Sequence, residues 1–174
     1  TGAAILCIIL LPLFCCLSLI IYLSDGAPIL YRHQRMGMGG KLFTCLKFRT
    51  MKINTENVFN AYLDANPHEK VNWEKKQKLT HDPRLIPGGK FLRSLSLDEL
   101  AQLLNVMAGE MSLIGPRPVT KSEYDEKYGR WATRCFSIKP GISGLWQVSG
   151  RNEVSYRRRV SMDLYYVRHQ SLCL

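Results

Sequence analysis

Residues 96–118 read SLDELAQLLNVMAGEMSLIGPRP. Leu97, Leu100, Ala101, Leu104 and Met107 recur at helical spacing, and together with GGKFLRSL just upstream they predict a helix with one apolar face, closed by Gly109. Two acids, Asp98 and Glu99, stand at the mouth of this apolar run. Ser96 followed by Glu99 fits a capping box, and Asp98 in the first turn complements the helix dipole. The same place also suits phosphate chemistry. A carboxylate can act as a covalent nucleophile toward phosphorus, and a neighbouring acid can hold the Mg²⁺ that offsets phosphate charge. Arg117, fixed between Pro116 and Pro118, is a forked cation on a restrained backbone, which suits either a phosphate contact or a plain surface turn. Locally, both readings stand.

Upstream, residues 54–80 (NTENVFNAYLDANPHEKVNWEKKQKLT) have a polar helical rhythm broken at Asn66-Pro67, which predicts a surface helical hairpin. KLFTCLKFRTM (41–51) reads as a strand or hairpin arm, with MGMGG before it as the turn. Downstream come a charged helical piece, the Gly-rich KPGISGLWQVSGRN (139–152) and a basic helical stretch RRRVSMDLYYVRH (157–169). The Gly-rich stretch offers amides and a Trp face to a nucleotide, or is a connector. It lacks the strand-helix context of a dinucleotide fingerprint, and no Walker-type G-K-[ST] occurs.

At the other end, GAAILCIILLPLFCCLSLIIYL (2–23) carries no charge over a length that, as a helix, matches the hydrocarbon thickness of a bilayer. It lacks the basic head and small-x-small site of a signal peptide, so a membrane segment is expected. Pro12 at its centre predicts a kink, and from the residues alone the helix either spans or bends back. Arg32, Arg35, Lys41, Lys47, Arg49 and Lys52 follow without an acid among them, the charge bias of a cytoplasmic flank beside anionic headgroups.

With 174 residues and a net charge of +10, the chain fits one domain that attracts anions: nucleic acid, acidic lipid or phosphorylated substrates. Six cysteines without a C-x-x-C pair suit reduced, packed thiols in a reducing compartment.

APILYRHQRMGMGGKLFTCLKFRTM, HDPRLIPGGKFLRSLSLDELAQLLNVMAGEMSLIGPRP and KPGISGLWQVSGRN, in this order, closely resemble the bacterial sugar transferases, the monotopic polyprenyl-phosphate phosphoglycosyl transferases. The resemblance implies an α+β, mostly helical, single membrane-associated domain with a small β-hairpin. It implies a re-entrant membrane helix over 1–24, bent at Pro12, and a cytoplasmic catalytic domain over 25–174 whose C-terminus is truncated. The location implied is the cytoplasmic face of a bacterial inner membrane.

The reaction implied is transfer of a hexose 1-phosphate from a UDP-sugar to undecaprenyl or another polyprenyl phosphate, releasing UMP. This is the first membrane step of O-antigen, capsule or exopolysaccharide assembly. By resemblance, Asp98 is the nucleophile and forms a phosphosugar-aspartyl intermediate, and Glu99 is its partner. The two acids hold Mg²⁺, and Lys47, Arg93 and Arg117 bind phosphate. The partners implied are the donor, the acceptor and membrane lipids; nucleic acid is not among them, and a homo-oligomer is left open. The rival readings are a non-catalytic basic scaffold on the membrane surface and a single-span helix bearing a phosphatase-like site.

Overall fold

The computed structural model describes residues 2–76, 79, 81–150 and 153–169. Arg151 and Asn152, which close the Gly-rich stretch, and the final residues 170–174 lie outside the described residues. The fold is mostly helical, with a small antiparallel hairpin and a second two-stranded parallel pair.

The apolar N-terminal run forms two helices, α1 (Gly2–Ile9) and α2 (Leu11–Asp25), bent by 58° at the break between them. The break falls just before Pro12, whose ring excludes the carbonyl of Ile8 from a continuous helix and which has no amide to donate. Among the described residues no single helix is long and apolar enough to cross a membrane, though the bent pair meets that test of length and composition.

The chain forms two compact units that interleave in sequence. The first comprises Thr1–Leu11, Tyr31–Lys47 and Glu99–Leu174. Its hairpin pairs β1 (Leu30–Met36) with β2 (Leu42–Phe48) through a turn over Met38–Gly40. The turn and the second arm follow the expectation from sequence. The first arm, LYRHQRM, carries too many polar residues to signal a strand by itself. Asn105 of α6 (Gln102–Met107) is bound to β2 much as a neighbouring strand would be. Its side chain accepts from the Leu46 amide at 3.0 Å and donates to the Thr44 carbonyl at 2.8 Å. The core of this unit gathers Met36, Val119, Tyr128, Cys135, Phe136 and Val160. They come from β1, a π-helical turn at Glu123–Tyr128, α7 (Ala132–Cys135) and α9 (Tyr156–His169), with Val119 and Phe136 on the connecting loops.

The second unit comprises Pro12–Leu30 and Phe48–Asp98. It contains the expected helical hairpin, α3 (Glu56–Ala65) and α4 (Pro67–Lys76), broken at Asn66. Arg84 stacks on Phe59 and Trp73 of that hairpin, 4.0 and 4.9 Å from the ring centroids, while Asp82 grips its guanidinium. Arg49 is buried and closes the C-terminal end of α2. It pairs with the Asp25 carboxylate and donates to the carbonyls of Asp25, Gly26 and Pro28. These include a carbonyl that the helix end leaves without a partner. One cation of the basic flank expected to face lipid is therefore a structural clamp.

The central stretch differs from the expected continuous helix. It breaks into α5 (Gly89–Ser94), a 3₁₀ turn at Leu97–Ala101 and α6. Ser96 lies between them with φ +57, a left-handed conformation unlike that of an N-cap serine. The capping box does not form, and the tighter turn shifts the phase of everything after it. Leu104 and Met107, expected to face inward, are 39% and 53% exposed, while Gln102 and Asn105 are buried.

Candidate active site

The short parallel pair β3 (Ser112–Ile114) and β4 (Gly141–Ser143) explains the glycines flanking the Pro-Arg-Pro segment. The Gly115 amide donates to the Ser143 carbonyl at 2.9 Å, and the Gly141 amide to the Pro116 carbonyl at 2.8 Å. A Cβ on Gly115 would meet the Lys139 carbonyl at 2.6 Å, and one on Gly141 would collide with the Gly115 amide. The two segments approach this closely because neither glycine has a side chain. Arg117 leaves the pair along a path fixed on both sides by proline.

Within the first unit, Arg117 arrives beside Glu99. Lys47 Nζ, from the end of β2, donates to Glu99 Oε1 at 2.8 Å, and Arg117 Nη2 reaches the same oxygen at 3.5 Å. Arg35 of β1 lines the same cleft, with Cys45 and Gln102. Two cations thus meet on the Glu99 carboxylate, and a third, paired with Glu123, lines the same cleft. That arrangement favours an anion.

The local field acts on neighbouring groups as this charge set requires. His33 is held below its ordinary value by burial, then by Arg35 and Lys47. Burial pushes the Cys45 thiol up, although Lys47, Arg35 and Arg117 pull the other way, so it remains a protonated wall of the cleft.

Of the expected site residues, the fold brings Lys47, Glu99 and Arg117 together. Asp98, the residue before Glu99 in the 3₁₀ turn, is buried and belongs to the second unit. Arg93 lies exposed in the last turn of α5, where its charge is the least of the influences on Asp82, whose carboxyl is held below its usual range. Burial of Asp82 opposes this, and the hydrogen bonds from Arg84 are the stronger influence. Among the described residues no group of three or more His, Cys, Asp or Glu side chains is arranged to hold a metal.

The whole chain, residues 1–174, matches the model of the family described as bacterial sugar transferase. The chain belongs to the bacterial sugar transferase family. It is 48% identical over 170 residues to the exopolysaccharide production protein ExoY of Sinorhizobium fredii, covering 97% of this chain and 75% of that protein. It is 47% identical over 171 residues to a UDP-galactose-lipid carrier transferase of Erwinia amylovora, covering 98% of this chain and 35% of that one. With an undecaprenyl-phosphate galactose phosphotransferase of Salmonella typhimurium it shares 49% identity over 148 residues, 85% of this chain and 31% of that protein. The chain therefore spans about a third of the length of these two galactose transferases.

One contributor to this sugar transferase's cleft was not legible in the sequence. Arg35 read as one more basic residue near the membrane, and nothing local distinguishes it from Arg32. Trp146, in α8 (Leu145–Val148), is the ring that the Gly-rich stretch offers to a nucleotide in the sequence reading. It is buried, with Arg159 4.4 Å and Arg117 5.9 Å from its ring centroid.

Proposed function

We propose that this sugar transferase moves a hexose 1-phosphate from a UDP-sugar to undecaprenyl or another polyprenyl phosphate at the cytoplasmic face of a bacterial inner membrane. The observation that carries this reading is the convergence of Lys47 and Arg117 on one oxygen of Glu99, the residue next to Asp98. Both substrates bring phosphate, and both chemical steps need negative charge offset. The names borne by the Erwinia and Salmonella relatives point to the same donor and acceptor classes.

In the first step an Asp98 carboxylate oxygen attacks the sugar-linked phosphorus. The bond from that phosphorus to the bridging oxygen breaks, and UMP leaves with the oxygen and its electron pair. In the second step a phosphate oxygen of the polyprenyl acceptor attacks the same phosphorus, the Asp98–phosphorus bond breaks, and the carboxylate is restored. Lys47, Arg93 and Arg117 hold phosphate oxygens. Glu99, tied to Lys47 and Arg117, fixes where those two cations point.

Asp98 and Glu99 are consecutive hard oxygen donors, and these two carboxylates would hold Mg²⁺. When bound there, the ion supplies charge neutralisation at the phosphates.

Much of the apolar side of α1 and α2 faces outward, with Ile8 73% and Leu23 74% exposed. Exposed apolar surface on this scale calls for a covering, and we assign it to lipid as a re-entrant pair.

Purified protein incubated with a panel of UDP-sugars tests the reading. It predicts UMP release before any acceptor is added, in an amount close to that of the enzyme, with the sugar label retained on protein. UMP that appears only after acceptor is supplied would rule out the two-step route.

A further inference from the structure

We propose that Arg35 is a further phosphate-contacting residue of this transferase, and that Glu123 is the positioning residue that aims it. The inference rests on the phosphoryl-transfer reading above and extends its cation set.

Arg35 stands at the end of β1, with its side chain only 18% exposed, in the cleft that also holds Lys47, Glu99 and Arg117. Among the described residues its hydrogen-bond partner is Glu123, reached through Nη1 at 3.3 Å. A guanidinium carries five N–H donors in a fixed fork, so a single long contact accounts for little of its capacity. Burial lowers Arg35 from its ordinary value and Glu123 opposes that effect, and a guanidinium stays charged in proteins. A half-buried cation with donors to spare, beside two other cations, is arranged for an anion that arrives from outside.

Glu123 is built as a bracket. Its Oε2 accepts from the Thr120 amide at 2.9 Å and the Thr120 hydroxyl at 3.0 Å as well as from Arg35, and its Oε1 from the Tyr156 hydroxyl at 3.4 Å. Burial alone would raise its carboxyl. The Thr120 bonds, then Arg35 and Arg117, outweigh that and hold it below the usual range, so it is ionised throughout the physiological range. Tyr156, pushed above its ordinary value by burial and by Glu123, stays a neutral donor. With its carboxylate held from two elements, Glu123 fixes one edge of the guanidinium and leaves the rest of the fork for phosphate oxygens.

The experiment compares wild type, Arg35→Gln, Arg35→Lys and Glu123→Gln in detergent. It measures donor kinetics by UMP release, UDP binding by calorimetry, and thermal unfolding. Losing a charge-assisted contact to phosphate raises donor KM and weakens UDP binding on the order of ten- to a hundredfold in Arg35→Gln. Arg35→Lys recovers part of that loss, because charge returns without the fork. Glu123→Gln keeps the hydrogen-bonded shape but loses the charge, and its donor KM rises several-fold with kcat retained.

Unchanged KM and unchanged UDP binding in Arg35→Gln would overturn the proposal. If that variant does not fold, wild-type values in Arg35→Lys would overturn it equally. A fall in kcat and unfolding temperature with unchanged UDP affinity would show a purely structural residue and also refute it. Should wild type bind UDP in an Arg35-dependent way yet release no UMP from any donor, the transferase reading fails while this inference survives. UMP release and UDP binding that are both indifferent to Arg35 leave the transferase reading standing and sink the inference.

Discussion

Glu99 receives two cations on one oxygen, and this pairing sets the first prediction. Lys47→Ala takes away the shorter of the two cation contacts on that carboxylate and, with it, one of the proposed phosphate contacts. It is expected to lower kcat/KM for the donor on the order of ten- to a hundredfold, measured by UMP release, with little change in unfolding temperature. Arg49 is expected to behave in the opposite manner. It is buried against Asp25 and three carbonyls, so Arg49→Ala leaves an unpaired carboxylate and unsatisfied backbone groups. Removing one partner of such a pair costs about 3–5 kcal/mol, which denaturant melts will show as a lowered midpoint.

Asp163 gives a pH prediction at the same scale. It is fully buried, accepts from the Tyr128 hydroxyl at 2.7 Å through Oδ2, and its Oδ1 finds no partner among the described residues. Burial pushes its carboxyl up to about 7, with the Tyr128 bond pulling the other way. Folded protein therefore keeps a proton that the unfolded chain gives up from about pH 4 upward. Stability falls as pH rises from there to about 7 and levels off above. Asp163→Asn keeps an acceptor for Tyr128 and carries no charge. Its melts are expected to be flat across that window and to exceed wild type at pH 8 by roughly 2–4 kcal/mol.

Elements show where local pattern sufficed and where it failed. The helical hairpin over α3 and α4 was legible because Asn66-Pro67 acts on the backbone directly, whatever the tertiary context. The bend near Pro12 was legible for the same reason. The apolar face of the central stretch was not, because one left-handed residue at Ser96 and a 3₁₀ turn rotate the residues that follow. Asn105 also runs against its pattern. A buried polar side chain on an apparently apolar helix makes sense only once the β2 backbone lies beside it. Candidate site residues divide along the same line. Arg117 announced itself through its flanking prolines, whereas Arg35 depends on a strand pairing and on Glu123, 88 residues away. The glycine contacts of β3 and β4 are testable as an element. Gly141→Ala forces the pair apart and shifts Arg117, and a displacement near 1 Å in such a site costs on the order of a hundredfold in rate. Donor kinetics on the folded variant measure it.

For the whole molecule, the basic flank had two destinations that sequence could not separate. Arg32, Lys41 and Lys52 are exposed and available to headgroups, while Arg35 and Lys47 line the cleft and Arg49 is interior. A re-entrant α1–α2 pair predicts that a cysteine placed at Gly2, in a background lacking Cys7, Cys15 and Cys16, is labelled by an impermeant maleimide only after cells are opened. Labelling of intact cells would indicate a spanning helix. The proposed reaction is covalent, with hexose phosphate bonded to Asp98 in mid-turnover. Wild-type protein mixed with UDP-sugar, quenched without acceptor and analysed by peptide mass spectrometry, should carry one hexose phosphate on the peptide containing Asp98, and Asp98→Asn should carry none. An adduct on another side chain, or UMP release with no adduct on any peptide, would show that Asp98 is not the nucleophile.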